Sequence, residues 1–138
     1  MVTITEERPG RDELLGLYDG VGWTAYTRDP DALVAAVAGS HLVLTARDHT
    51  GALVGLVRTL SDGVTIAYVQ DVLVLPAHQG AGVGGRLLDA VLERYAHVRQ
   101  TVLLTDAEPG QRAFYESRGL VEVHDVEPQP LRSFVLLR

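Results

Sequence analysis

Residues 70–88, Q-D-V-L-V-L-P-A-H-Q-G-A-G-V-G-G-R-L-L, hold four glycines within six positions, directly ahead of an amphipathic run. The apolar stretch to Leu75, the exit at Pro76 and the glycine-dense segment read as strand, loop and helix start. A loop of this composition turns several backbone N–H groups in one direction. The first helical turn adds its own unpaired N–H groups and the positive end of the helix dipole. Together they suit a phosphate or pyrophosphate, and glycines let such a group approach the backbone closely. Any fold for this chain must set a strand before the loop and a helix after it.

The rest of the chain supplies a sheet for that strand. Val2 to Thr5 alternates as a short strand, Pro9-Gly10 ends it, and Asp12 is placed to cap a helix to about Tyr18. Gly20-Val21-Gly22-Trp23 is a turn, and Asp29-Pro30-Asp31 opens a second helix that stops at Gly39. His41 to Arg47, Ala52 to Leu60 and Val64 to Leu75 read as three strands. The turns Asp48-His49-Thr50-Gly51 and Ser61-Asp62-Gly63 join them into an antiparallel meander. Gln70-Asp71 interrupts the apolar pattern of the third strand, which predicts a bulge or splay near Asp71. A helix from Gly82 to about His97 carries Val83, Leu87, Leu88, Val91, Leu92 and Tyr95 on one stripe. Gln100 to Thr105 is apolar enough for a parallel strand covered on both faces. Glu108 to Arg118 reads as a helix stopped by Gly119, and Leu120–Val123 and Leu131–Leu137 as two last strands. The pattern predicts one α+β domain over residues 1–138.

Net charge is −6 with no basic block, which speaks against nucleic-acid or anionic-membrane partners and tolerates cationic small molecules. With no cysteine, a thiolate nucleophile and a cysteine zinc site are excluded. The histidines lack metal-ligand spacing, so no metal is expected. The N-terminal residues lack the charged and apolar regions of a signal peptide, and no apolar run is long enough to span a membrane. The expected compartment is the cytoplasm.

Two registers of the glycine loop compete. Gly80, Gly82 and Gly85 form a literal G-x-G-x-x-G, with Asp106 near the end of the next strand, as in dinucleotide-binding units. Against this, Pro76-Ala77-His78-Gln79 separates the glycines from the strand. Too little chain follows Asp106 for a doubly wound sheet, and the upstream strands are joined by hairpins rather than crossovers. The other register is Gln79-x-x-Gly82-x-Gly84 after V-L-V-L-P. With the downstream Ala113-Phe114-Tyr115-Glu116-Ser117-Arg118-Gly119-Leu120, the chain resembles the GNAT superfamily of acetyl-CoA-dependent N-acyltransferases. Gln79 stands where many members have Arg, and Leu120 where Phe is usual. Within the superfamily, Y-V-Q-D-V-L-V-L-P and V-L-L-T-D are similar to a small bacterial group related to plastid N-acetyltransferases acting on arylalkylamines.

The resemblance implies a mixed, mostly antiparallel sheet flanked by helices, splayed between the third meander strand and the next, parallel strand. It also implies acetyl transfer from acetyl-CoA to a primary amine by direct attack in a ternary complex. Gln79, Gly80, Ala81, Gly82, Val83, Gly84 and Gly85 would hold the pyrophosphate. Val72, Leu73 and Val74 would pair with the pantetheine arm and supply an oxyanion donor. Phe114 is assigned to the cofactor, and Tyr115 is the expected general acid; packing of an aromatic pair is the structural alternative. Asp71 and Asp106 are the candidate general bases, and Asp71 can equally bind the amine. A bulge hydrogen bonder and a helix cap are their structural alternatives. Trp23 and Tyr26 are expected beside the acceptor, unless they only pack in the core. A small amine acceptor and a homodimer are expected. A protein lysine or N-terminal acceptor, or a non-catalytic acyl-CoA-binding module, are the alternatives.

Overall fold

The computed structural model describes residues Met1–Arg138, which fall into two compact units, Met1–Leu104 and Thr105–Arg138.

The first unit holds a five-stranded sheet in sequence order, β1 (Thr3–Glu6), β2 (Leu42–Arg47), β3 (Leu53–Ser61), β4 (Ile66–Val74) and β5 (Gln100–Leu103). The first three pairings are antiparallel and only β4–β5 is parallel. The meander follows from its turns. Asp48 Oδ1 accepts from Thr50 N and Ala52 N, and Asp62 Oδ1 accepts from Val64 N, Thr65 N and Ile66 N. Each aspartate replaces the ladder partners that a reversing chain loses.

Helices cover both faces of this sheet. On one side lie α1 (Arg11–Gly20), the single turn α2 (Thr24–Thr27) and α3 (Pro30–Ala38). Leu14, Leu17, Tyr18, Leu33 and Val37 from α1 and α3 pack there on Val43, Leu53, Leu56 and Leu73. The α3 start is as its sequence predicts, with Pro30 in the first turn and the Asp29 side chain accepting from Ala32 N at 3.2 Å. On the other side, α4 (Val83–Arg94) lays Val83, Leu87 and Val91 on Leu44, Ala46, Val54, Val57, Ala67 and Val69. Arg86 Nη1 donates to Val2 O at 2.8 Å and anchors this helix to the chain just before β1.

β5 departs from expectation in one respect. It is a four-residue edge strand whose Thr101, Val102 and Leu103 are half-buried, so it is not covered on both faces.

The second unit contains α5 (Pro109–Glu116), a left-handed Gly119 after it, and a short 3₁₀ turn at Val123–Asp125. Arg112 is its electrostatic hub, reaching Glu116 at 3.1 Å and Glu122 and Asp125 at 2.7 Å. The two strands expected at Leu120–Val123 and Leu131–Leu137 do not form. A strand exists only through its ladder, and this segment spends its groups otherwise. Leu131 N donates to Val123 O at 2.7 Å, while Pro128 and Pro130 have no N–H to offer.

Candidate active site

β4 and β5 part at a defined rung. Their parallel register runs from Ile66↔Gln100 to Val69↔Leu103 and stops there, while β4 continues to Val74. The expected splay is therefore present, and Val72, Leu73 and Val74 have β3 on one side and no strand on the other. The expected bulge is present at the same rung. Arg58 pairs with Asp71 and Thr59 with Val69, so Gln70 has no partner opposite. One inserted residue moves every later side chain to the other face. Ala67 and Val69 point to the α4 side, whereas Asp71 and Leu73 point to the α1–α3 side.

Val74 leads through Leu75 and a 3₁₀ turn at Pro76–His78 into the glycine loop. Gln79 Nε2 donates back to Val74 O at 3.0 Å, which ties the loop to the strand end. Gly80 and Gly82 have φ of 81° and 80° with nothing within 4 Å of a Cβ built on either. Conformation, not crowding, requires glycine there. Ala81 is exposed between them, and Gly82 caps α4 in the left-handed conformation without a side-chain hydrogen bond. The first-turn N–H groups of Val83, Gly84 and Gly85 carry no side-chain cap, and the space in front of the two glycines is open. That combination fits an anionic phosphate group at the positive end of a twelve-residue helix.

Asp71 sits at the centre of a buried network. Its Oδ2 accepts from Arg58 Nε at 2.5 Å and Tyr18 Oη at 2.9 Å, and its Oδ1 accepts from Tyr26 Oη at 3.0 Å. The Tyr26 oxygen in turn accepts from Gln70 Nε2 at 3.3 Å. Burial pushes the Tyr18 phenol up, and the Asp71 charge pushes it further. Burial opposes the Arg58 charge, but the neighbouring Asp71 outweighs it and holds the guanidinium protonated. Trp23 and Tyr26 lie half-buried at the start of and within α2, and their rings stack edge-on or tilted around Tyr18. The structure thus brings Asp71 and Tyr26 together, with the Trp23 ring against those of Tyr18 and Tyr26.

The second unit gathers the other three predicted residues. Asp106 Oδ1 accepts from Glu108 N at 3.0 Å, and its Oδ2 accepts from Gln111 Nε2 at 3.5 Å, so the side chain closes the turn that enters α5. Tyr115 is half-buried on α5, with the Phe114 ring 5.0 Å away edge-on. Burial raises the Tyr115 pKa, the Asp106 charge adds to it, and a hydrogen bond with Thr105 works the other way. A phenol so placed stays protonated at neutral pH. Glu122, His124 and Asp125 bring their ligand atoms within 4.8 Å of one another, but all are exposed and Arg112 already engages both carboxylates.

Arg58 and Tyr18 join the site although the sequence pattern marks neither as a site residue, and Gln70, expected only as part of the bulge, joins it through Tyr26. The signal was there. Arg58 interrupts L-V-G-L-V-R-T-L, where a central strand side chain must be buried, and a buried cation requires a carboxylate partner.

Comparison with known proteins agrees with this architecture. A family model described as "Acetyltransferase (GNAT) domain" matches residues 16–129. An uncharacterized N-acetyltransferase ycf52 of Pyropia yezoensis is 28% identical over 82% of this chain and 66% of its own. The ycf52-like protein of Prochlorococcus marinus is 31% identical over 78% of this chain and 60% of its own. The chain spans no more than about two thirds of the length of these relatives. Among solved structures, the GNAT-family acetyltransferase SP0256 of Streptococcus pneumoniae superposes with a TM-score of 0.85. It is 28% identical, and the match covers 100% of this chain and 98% of that one. A ribosomal-protein-alanine N-acetyltransferase of Brucella melitensis, at 20% identity and a TM-score of 0.72, shares the fold. With the splayed β4–β5 pair, the bulge at Gln70 and the loop that opens α4, these matches make the chain a member of the GNAT acetyltransferase family.

Proposed function

We propose that this protein is an N-acetyltransferase moving the acetyl group of acetyl-CoA to a small primary amine by direct attack in a ternary complex. The observation that carries it is the parting of β4 from β5 at Val69↔Leu103, just upstream of the uncapped, glycine-opened start of α4. Acetyl-CoA supplies an activated thioester, whose C–S bond breaks as the amine nitrogen bonds to the acetyl carbon. Gln79 N donates to Pro76 O and holds the loop in place, and the N–H groups from Gly80 to Gly85 bind the acetyl-CoA pyrophosphate. The free edge of Val72, Leu73 and Val74 pairs with the pantetheine amides as an added strand, and one N–H there stabilises the developing oxyanion. Tyr115, held protonated, donates its proton to the departing sulfur, with Phe114 packed beside it against the cofactor. Asp106 assists removal of the amine proton through water. Trp23, Tyr26 and the Asp71 network form the acceptor side.

A homodimer accompanies this function. Phe134, Val135, Leu136 and Leu137 are 61–88% exposed, a consecutive apolar run that a second copy would cover.

Thermal unfolding with and without acetyl-CoA tests the cofactor, and thiol release over an amine panel tests the acceptor. Saturation at about 100-fold over Kd adds about 2.7 kcal/mol to stability. A clear rise in Tm with acetyl-CoA and none with NAD is expected, followed by thiol release with one amine class. No shift with acetyl-CoA overturns the assignment. A shift without turnover on any small amine redirects it to a peptide acceptor or a binding module.

A further inference from the structure

The network around Asp71 decides which atom of the acceptor side faces the substrate. A carboxylate offers about four lone-pair sites, and three of Asp71's face donors of its own chain, from Arg58, Tyr18 and Tyr26. Its side chain is 3% exposed and Arg58 balances its charge. A proton placed on Asp71 would remove the charge that balances the buried Arg58 guanidinium and leave that cation without a counter-ion. Asp71 is the anchor that orients its three donors.

Tyr26 is the outlet of that network. A phenol has a single proton, and Tyr26 gives it to Asp71 Oδ1. Its oxygen already accepts from Gln70 Nε2, the exposed bulge residue, and the ring itself is half-buried. Any further partner of this hydroxyl must therefore be a donor. We infer that Tyr26 Oη is the specificity-determining hydrogen-bond acceptor for an N–H of the acyl-acceptor amine, with Arg58, Asp71 and Tyr18 as positioning residues that fix its direction. This rests on the acetyl-transfer function proposed above. A neutral primary amine that donates one N–H to Tyr26 keeps its nitrogen lone pair for the thioester carbon. An N,N,N-trimethyl analogue of the same skeleton carries the charge of the protonated amine but has no N–H to give.

The test is steady-state kinetics on the wild type, Tyr26→Phe and Asp71→Asn, with the best amine and its N,N,N-trimethyl analogue as inhibitor. In Tyr26→Phe the amine KM rises by roughly three- to tenfold, the net value of one neutral hydrogen bond. The KM for acetyl-CoA and its thermal shift stay unchanged, and the trimethyl analogue inhibits wild type and variant equally. Asp71→Asn turns an amide N–H toward Tyr26 and forces the hydroxyl to point outward as a donor. The amine KM again rises, while kcat keeps the acid limb of its pH profile. An unchanged amine KM in Tyr26→Phe overturns the assignment of Tyr26 while leaving the acetyltransferase function intact. A collapse of kcat and loss of the acid limb in Asp71→Asn, with KM intact, overturns it in favour of Asp71 as base. If Asp71→Asn does not fold, Tyr26→Phe decides alone. Binding of acetyl-CoA without turnover of any amine by the wild type overturns both function and acceptor role.

Discussion

Arg58 and Asp71 are cross-strand partners on β3 and β4 at the last rung before the bulge, with Nε and Oδ2 2.5 Å apart and side chains only 6% and 3% exposed. The pair fixes the register of β4 at the point where it separates from β5. It also links the sheet to α1 through Tyr18 and to α2 through Tyr26.

Removing one member strands the other in the interior. Arg58→Met is expected to lower the unfolding free energy by about 3 kcal/mol, as measured by urea denaturation, because the buried Asp71 carboxylate loses its partner. Combining it with Asp71→Leu should restore a large part of that loss. A double variant no more stable than Arg58→Met would mean that the charge is not what the interior resists.

The glycine loop separates conformation from ligand contact. Gly82→Ala forces a left-handed φ on a Cβ-bearing residue and should cost about 1–2 kcal/mol, with a weaker Tm response to acetyl-CoA. Gly110→Ala, in the first turn of α5 with open space around it and an ordinary φ, should be neutral or gain about 0.4–1 kcal/mol. Equal effects at the two positions would contradict the positive φ at Gly82.

Alkaline pH should destabilise the protein through Tyr18. Its phenol pKa is raised in the folded state, by burial first and by Asp71 second. The unfolded chain releases that proton near pH 10, while the folded chain still holds it. Stability is therefore undiminished below about pH 10 and falls as pH rises from there toward the folded value. Tyr18→Phe should flatten this slope in denaturation curves taken between pH 9 and 11 (roughly the accessible window). An unchanged slope would assign the alkaline loss to other groups.

Tyr115 makes a kinetic prediction of the same sign. With its pKa raised by burial and then by Asp106, it should remain a proton donor beyond the ordinary phenol range. The alkaline limb of kcat then lies above about pH 10. Tyr115→Phe should cost about 10²-fold in kcat and remove that limb. Retention of wild-type kcat would leave Tyr115 a packing partner of Phe114.

The apolar terminus predicts association. Replacing Phe134 and Leu136 with Ser should convert a dimer to a monomer in sedimentation, because both side chains are exposed on the single chain and contribute only to association. A wild type that sediments as a monomer at micromolar concentration would remove the dimer altogether.

Much of the site was written locally. The strand, proline exit and spaced glycines of residues 70–88 lie next to one another, so their φ requirements and helix start follow from residue type. Even the bulge was legible, because Gln70-Asp71 breaks an apolar strand that has no other reason to contain a polar pair. The last two strands were not. Leu131–Leu137 has the residue types of a strand, but a ladder partner is a long-range property that no window of sequence contains.

The meander, the loop and the apolar stripe of the helix behind it follow from turn chemistry and hydrophobic period, which act over a few residues. The surroundings of Asp71 follow from long-range packing instead. Its partners come from positions 18, 26 and 58, and a single inserted residue in β4 chose the face on which it meets them. A carboxylate's role depends on which donors reach it, and that is settled by packing between distant elements rather than by its neighbours in the chain.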